Sequence, residues 1–328
     1  MPDQVLFAIE VMLNGLMAGV MYALVALGFV LIFKASGIFN FAQGVMALFA
    51  ALTLVGFQSG QIPFAHLINA IFGTRLHHFG FTMPTVLAIL GTMAVMVLFA
   101  FLVERLVLKH LVNQPAIILF MATIGLAWFL EGLGDIMWGA EIKRLDVGLP
   151  MGMSGLIDEV TYNWFGYGFY IDRLDIVAAM VAAVLVVALT LFSQYTKQGR
   201  ALRAVADDHQ AALSVGISLR AIWVLVWSIS GFVALVAGIM WGAKSGVQFS
   251  LSLIALKALP VLMLGGFTSI PGAIVGGLII GVGEKLFEFT VGPMIGGATE
   301  NWFAYMLALV FLVFRPQGLF GEKIIERV

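Results

Sequence analysis

Long apolar runs broken by short polar stretches set the pattern of this chain. The runs at 6–33, 41–57, 84–103, 116–138, 175–194, 221–242, 251–266, 271–288 and 301–314 each read as a helical span, since a helix needs about 20 apolar residues to cross a bilayer. The runs at 251–266 and 301–314 are short for a full crossing. Eight to ten transmembrane helices, some broken or re-entrant, are therefore expected. The fold class is all-α, a polytopic integral membrane protein with residues 1–328 as a single transmembrane domain. The opening segment MPDQVLFAIE lacks the basic stretch of a cleaved signal, so the first span is expected to be retained.

Composition narrows the class. The chain is 62% hydrophobic and 11% charged, whereas soluble domains carry about 25% charged residues. That supply cannot cover a water-exposed surface. A net charge of −1 argues against a nucleic-acid partner. With no cysteine there is no disulfide, thiolate metal site or cysteine nucleophile.

The polar breaks carry the orientation. Residues 196–220 hold Lys197, Arg200, Arg203 and Arg220 against Asp207 and Asp208. Their apolar positions recur at helical spacing and Gly216 fits a C-cap, which predicts one short amphipathic helix. Bases mark cytoplasmic loops. Counting spans from this one puts Lys34, Arg105, Lys109, His110 and the tail bases Arg315, Lys323 and Arg327 on the same side. The loops 58–83 and 141–175 then fall outside, the second with six acids and three bases. His77 and His78 suggest a metal, but adjacent side chains converge poorly on one ion and no third ligand is evident, so a solvated loop is the preferred reading.

Glycine marks two elements. In Lys257–Glu284, Gly265, Gly266 and Gly272 bracket a polar turn containing Thr268 and Ser269, and Gly272, Gly276 and Gly283 recur at helical spacing. Small residues spaced in this way let helices approach closely in lipid, which predicts a tight hairpin. The alternative has the broken backbone lining a translocation pathway. The stretch Gly37–Gly44 makes Asn40 an N-cap for the next helix, and Asn40 and Gln43 need partners inside a membrane. Lys257 and Glu284 are placed to pair across adjacent helices, while Glu131 and Asp135 share one helix face. No phosphate-binding loop, zinc-protease or serine-hydrolase motif occurs, so no catalytic site is expected.

The block KALPVLMLGGFTSIPGAIVGGLIIGVGE resembles the signature of the Liv-type permeases, membrane subunits of branched-chain amino acid ABC importers. NGLMAGVMYALVALGFVLIF, GIFNFAQG, ERLVLKHL, GRALRAVADD and RPQGLFG follow the family order along nearly the whole chain, and the similarity is closest to the H-type subunit. Gln43 stands where the family usually has His, ERLVLKHLVN departs from the usual ERxxYRPxR, and the 58–83 loop is less typical. These departures leave the substrate open, because relatives are assigned to urea, short amides and aromatic acids as well as branched-chain amino acids. The resemblance implies a second, M-type permease, two cytoplasmic ATP-binding subunits carrying ATP and magnesium, and a periplasmic substrate-binding protein, in a bacterial inner membrane. It makes 196–220 the coupling loop, with Arg200, Arg203, Asp207, Asp208 and Gly216 as its residues. Asn40, Gln43, Lys257, Thr268 and Ser269 are the candidates for the translocation path. Gly265, Gly266, Gly272 and Gly276 are assigned to helix packing. An ion-coupled transporter using Lys257, Glu131 or Asp135, and a permease of the related sugar-importer group, remain alternatives.

Overall fold

The computed structural model describes residues 3–73, 77, 78, 80–111 and 114–321; Lys323 and Arg327 lie outside them. The helices are α1 (Asp3–Ser36), α2 (Gln43–Gln58), α3 (Ala65–Phe72), α4 (Thr85–Leu106), α5 (Ala116–Trp138), α6 (Gly155–Phe165) and α7 (Arg173–Tyr195). They continue with α8 (Lys197–Asp207), α9 (His209–Ser214), α10 (Leu219–Ser245), α11 (Ile254–Gly265), α12 (Ile270–Thr290), α13 (Gly292–Ile295) and α14 (Glu300–Phe314). Among the described residues, α1, α4, α5, α7, α10 and α12 are long and apolar enough to span a membrane. Three shorter apolar stretches, α2, Phe249–Gly265 and α14, complete the nine expected runs. The chain is an all-α polytopic membrane protein. Its contacts cluster into two compact units, each assembled from separate stretches of sequence.

One unit holds Leu31–Val147 and Leu191–Ala255. Its centre is α2, buried from Gln43 to Gly56 and packed by α4, α5 and α10. Sixteen residues reach only ~24 Å at 1.5 Å per residue, short of the ~30 Å hydrocarbon core. Because α2 meets protein and not lipid along that length, it has no need to match the bilayer. Small residues allow the approach. A side chain at Gly56 would enter the Trp138 ring, and one at Gly238 of α10 would strike the Ala47 carbonyl.

The other unit holds Met1–Val30, Gly148–Thr190 and Leu256–Val328. Here α12 turns a glycine to each of three neighbours. Gly272 and Gly276 lie against Gly265 and Val261 of α11, Gly277 and Gly281 against Gly19 and Gly15 of α1, and Gly283 against Phe303 of α14. The turn after α11 needs Gly266, whose φ of 101° L side chains rarely adopt. Past α14, the chain returns to this turn. The amides of Leu319 and Phe320 donate to the carbonyls of Leu264 (2.8 Å) and Gly265 (3.1 Å), filling acceptors that the end of α11 leaves open.

Pro260 lies inside α11 and has no N–H to give the carbonyl four residues earlier. That carbonyl, on Leu256, instead accepts the Tyr305 hydroxyl of α14 at 2.6 Å. In hydrocarbon an unmatched carbonyl is costly, so the tyrosine repairs the break. Replacing Tyr305 with Phe is expected to lower stability by about 1–3 kcal/mol. A thermal-unfolding series in detergent would show it as a reduced midpoint, and an unchanged midpoint would count against this repair.

Candidate functional site

The basic break after α7 folds as two helices, not the single amphipathic helix expected from the sequence. Thr196 caps α8, its Oγ1 accepting from the Gly199 amide at 2.9 Å. Gly199 sits so close to the end of α7 that a side chain would meet the Phe192 carbonyl. Leu202 and Val205 are buried, while Arg200, Arg203 and Asp207 are exposed. Asp208 then leaves helical geometry, with φ −156° and ψ 112°. Its Oδ1 accepts from the amides of Gln210 (2.8 Å) and Ala211 (3.0 Å). The carboxylate that starts α9 is thus what divides the helix. Its Oδ1 is tied to its own backbone, while the residue itself stays exposed.

Gly216 has φ 82°. Its amide donates to Leu213 and that of Ile217 to Ala212, the paired bonds of a glycine-terminated helix end. Ser218 caps α10. Arg220 is also committed, its Nε 3.1 Å from Oε1 of the buried Glu104 at the end of α4. Leu213 and Val215 stay exposed, as do Arg200 and Asp207. This is a two-helix projection with side-chain caps at Thr196, Asp208 and Ser218 and a mixed apolar and charged surface.

The expected path residues fall in both units. Asn40 and Gln43 are in the unit built around α2, completely buried. The Asn40 side-chain oxygen accepts from the Ala42 amide at 3.2 Å, a local turn that delays the helix. The N-cap of α2 is consequently Ala42 and not Asn40. Asn40 Nδ2 donates to Gln43 Oε1 at 3.4 Å, and Ser230 of α10 donates to the same oxygen at 2.8 Å. The polar groups satisfy one another inside the helix packing.

Lys257, Thr268 and Ser269 belong to the other unit. Lys257 Nζ lies 2.7 Å from Glu284 Oε1, with side-chain exposures of 29% and 1%. The ammonium also stands 5.5 Å from the centre of the Tyr22 ring. Ser269 is taken up in starting α12, its Oγ accepting from the Gly272 amide at 3.0 Å. Thr268 sits half-buried in the adjoining turn.

At the end of the first unit opposite α8 and α9, an open cleft of about 1190 Å³ is lined by Gln61, His77, His78, Asp135, Lys143 and Arg144, among others. Lys143 Nζ donates to Gln61 Oε1 at 2.8 Å. Burial lowers its pKa from the usual lysine range, and Glu141 opposes that shift. His78 Nδ1 lies 3.3 Å from the Ser59 carbonyl. Among the described residues no group of three or more potential ligands could hold a metal.

Sequence reasoning missed Tyr22, Ser230 and Glu104, each a single polar residue in or beside an apolar run, without a spacing signal. Gly15 and Gly19 did carry one, four residues apart in the first span.

A family model described as branched-chain amino acid transport system / permease component matches residues 11–315. The high-affinity branched-chain amino acid transport system permease protein LivH of Escherichia coli (strain K12) is 27% identical over all of both chains. The corresponding BraD protein of Pseudomonas aeruginosa is 27% identical over 98% of each. A probable LivH of Methanocaldococcus jannaschii is 27% identical over 91% of this chain and 88% of its own.

The Lys257–Glu284 pair yields a double-mutant test. Removing one member of a buried pair costs about 3–5 kcal/mol because it strands the other charge. Lys257→Met and Glu284→Leu are each expected to lower the unfolding midpoint, and the double variant to recover most of the loss. Additive losses in the double variant would show that the two side chains act independently.

Proposed function

The chain belongs to the branched-chain amino acid transport permease family, and on that premise we propose that it is the H-type membrane subunit of an ATP-driven importer. It is a transport permease component and not an enzyme. Its membrane helices contribute a path for leucine, isoleucine, valine or related small amino acids. The observation that carries this reading is a family match from residue 11 to 315 in a chain whose sequence holds no phosphate-binding loop. Energy from ATP must then enter by contact with other proteins.

The partners in this reading are a second, M-type permease, two ATP-binding subunits carrying ATP and magnesium, and a periplasmic substrate-binding protein. The membrane is the bacterial inner membrane. In the unit around α2, Lys34, Arg105, Lys109, Lys197, Arg200, Arg203 and Arg220 gather at the helix ends that include α8 and α9. An excess of bases marks a cytoplasmic face, so the α8–α9 projection is assigned there as the coupling element. Its caps support the role: a projection whose helix ends are fixed by side-chain bonds can pass a rigid-body displacement to the helices on either side. Loops 58–83 and 141–175 then face the periplasm.

Reconstitution in liposomes tests the whole reading. Labelled leucine is expected to accumulate only when the second permease, the ATP-binding subunits, ATP and the binding protein are all supplied. Uptake by this chain alone, driven by an ion gradient, would overturn it.

The coupling assignment has its own test, refined by the role of Asp208. Asp207→Ala with Arg200→Ala is expected to weaken docking of the ATP-binding subunits by about tenfold, or about 1.4 kcal/mol, at unchanged thermal stability. Asp208→Ala removes a cap worth about 1 kcal/mol, so it should also loosen the fold of α9, whereas Asp208→Asn retains a capping oxygen and should not. Full binding and uptake in the Asp207/Arg200 variant would remove these residues from the contact.

A further inference from the structure

We propose that α6 is an interfacial helix that lies along the membrane surface and buries Leu156, Val160 and Trp164 in the lipid boundary. The proposal rests on α1 and α7 crossing the membrane and does not depend on which substrate is carried.

The start of α6 and the loop that follows it are pinned to membrane helices of its own unit. At its start, the Ser154 amide donates to the Ile171 carbonyl and the Arg173 amide to the Gly152 carbonyl, each at 2.9 Å. These bonds hold the first turn of α6 at the point where α7 begins. In the loop after it, the Tyr167 hydroxyl donates to Glu10 Oε2 at 2.8 Å and the Tyr170 amide to Glu10 Oε1 at 3.2 Å. Glu10 is buried and lies within the early turns of α1. A helix of eleven residues is about 16 Å long. Its start is held where α7 begins and the loop that follows it is tied to the early turns of α1, so α6 sits at this end of the two spans, at the depth where they meet water.

The side that α6 turns outward carries three large apolar residues and one exposed polar residue, Asn163. Towards its own chain it presents Thr161, whose Oγ1 accepts from the Phe169 amide at 2.9 Å, and Asp158, which lies against Gly168. At 3.6 residues per turn, the opposite side carries Leu156, Val160 and Trp164, which are 76%, 54% and 79% exposed. A helix bathed in water has the reverse arrangement, with its polar arc outward. The same outward apolar pattern continues on α7, where Met180, Val184 and Val187 are exposed on a membrane-spanning helix. Trp at such a level matches the aromatic belt of membrane proteins. The charged side chains of α6 are the acids Asp158 and Glu159, so binding depends on apolar burial and not on attraction to anionic headgroups.

The chain has no cysteine, so single spin labels can be placed directly. Val160→Cys, Leu156→Cys and Glu159→Cys, each labelled and reconstituted in phosphatidylcholine liposomes, would be read by power-saturation electron paramagnetic resonance. Labels at 160 and 156 are expected to collide more often with oxygen than with a water-soluble nickel chelate, and the label at 159 to show the opposite order. Elution as a single detergent-solubilised species establishes that each variant folds. Nickel accessibility at 156 and 160 equal to that at 159 would overturn the proposal. So would protection that arises only when a soluble binding protein is added, because the stripe would then be a protein-docking surface.

Discussion

Hydrocarbon offers a polypeptide no hydrogen bonds, and every polar group taken into it has to be matched from within the chain. The local irregularities of this structure are organised by that demand. Pro260 opens one carbonyl and Tyr305 closes it. The C-terminal end of α11 leaves carbonyls at Leu264 and Gly265, and the returning segment after α14 supplies two amides. Asn40, Gln43 and Ser230 share their donors and acceptors in a fully buried cluster. Lys257 and Glu284 neutralise each other. The two interruptions of α11 are tolerable because Tyr305 and the segment returning after α14 answer them.

The second demand is close approach. Between apolar helices in lipid there is little gain in burying one more leucine, and contact surface matters more. α12 meets that demand by placing glycines against each of α11, α1 and α14. Where a small residue allows backbones to touch, the bond geometry of the turns can be exact enough to support the polar repairs.

Much of this was legible in the sequence. The nine apolar runs appear within a few residues of their expected limits, because hydropathy reports directly on the solvent each segment meets. The Lys257–Glu284 pair was foreseeable since two opposite charges in facing spans have few other options. The division of the basic loop into α8 and α9 was not, because Asp208 reads equally well as a surface charge and as a cap, and only the backbone dihedral separates them. Asn40 failed as an N-cap for a related reason: its side chain closed a tighter local turn first. The three short helices α3, α6 and α13 escaped notice since runs of 8, 11 and 4 residues hold too few turns to establish a period. Tyr305 is opaque to any reading of the sequence, as its meaning comes from a proline 45 residues earlier.

The burial of α2 has a consequence for how the protein is made. Its principal neighbour α10 emerges from the ribosome long after it, and the glycine contact between Gly238 and Ala47 cannot form until then. A helix too short for the bilayer must therefore wait in the membrane without the surface that completes it. Assembly of this unit is therefore late and non-local, since α2 ends at Gln58 and α10 begins at Leu219, more than 150 residues of chain later.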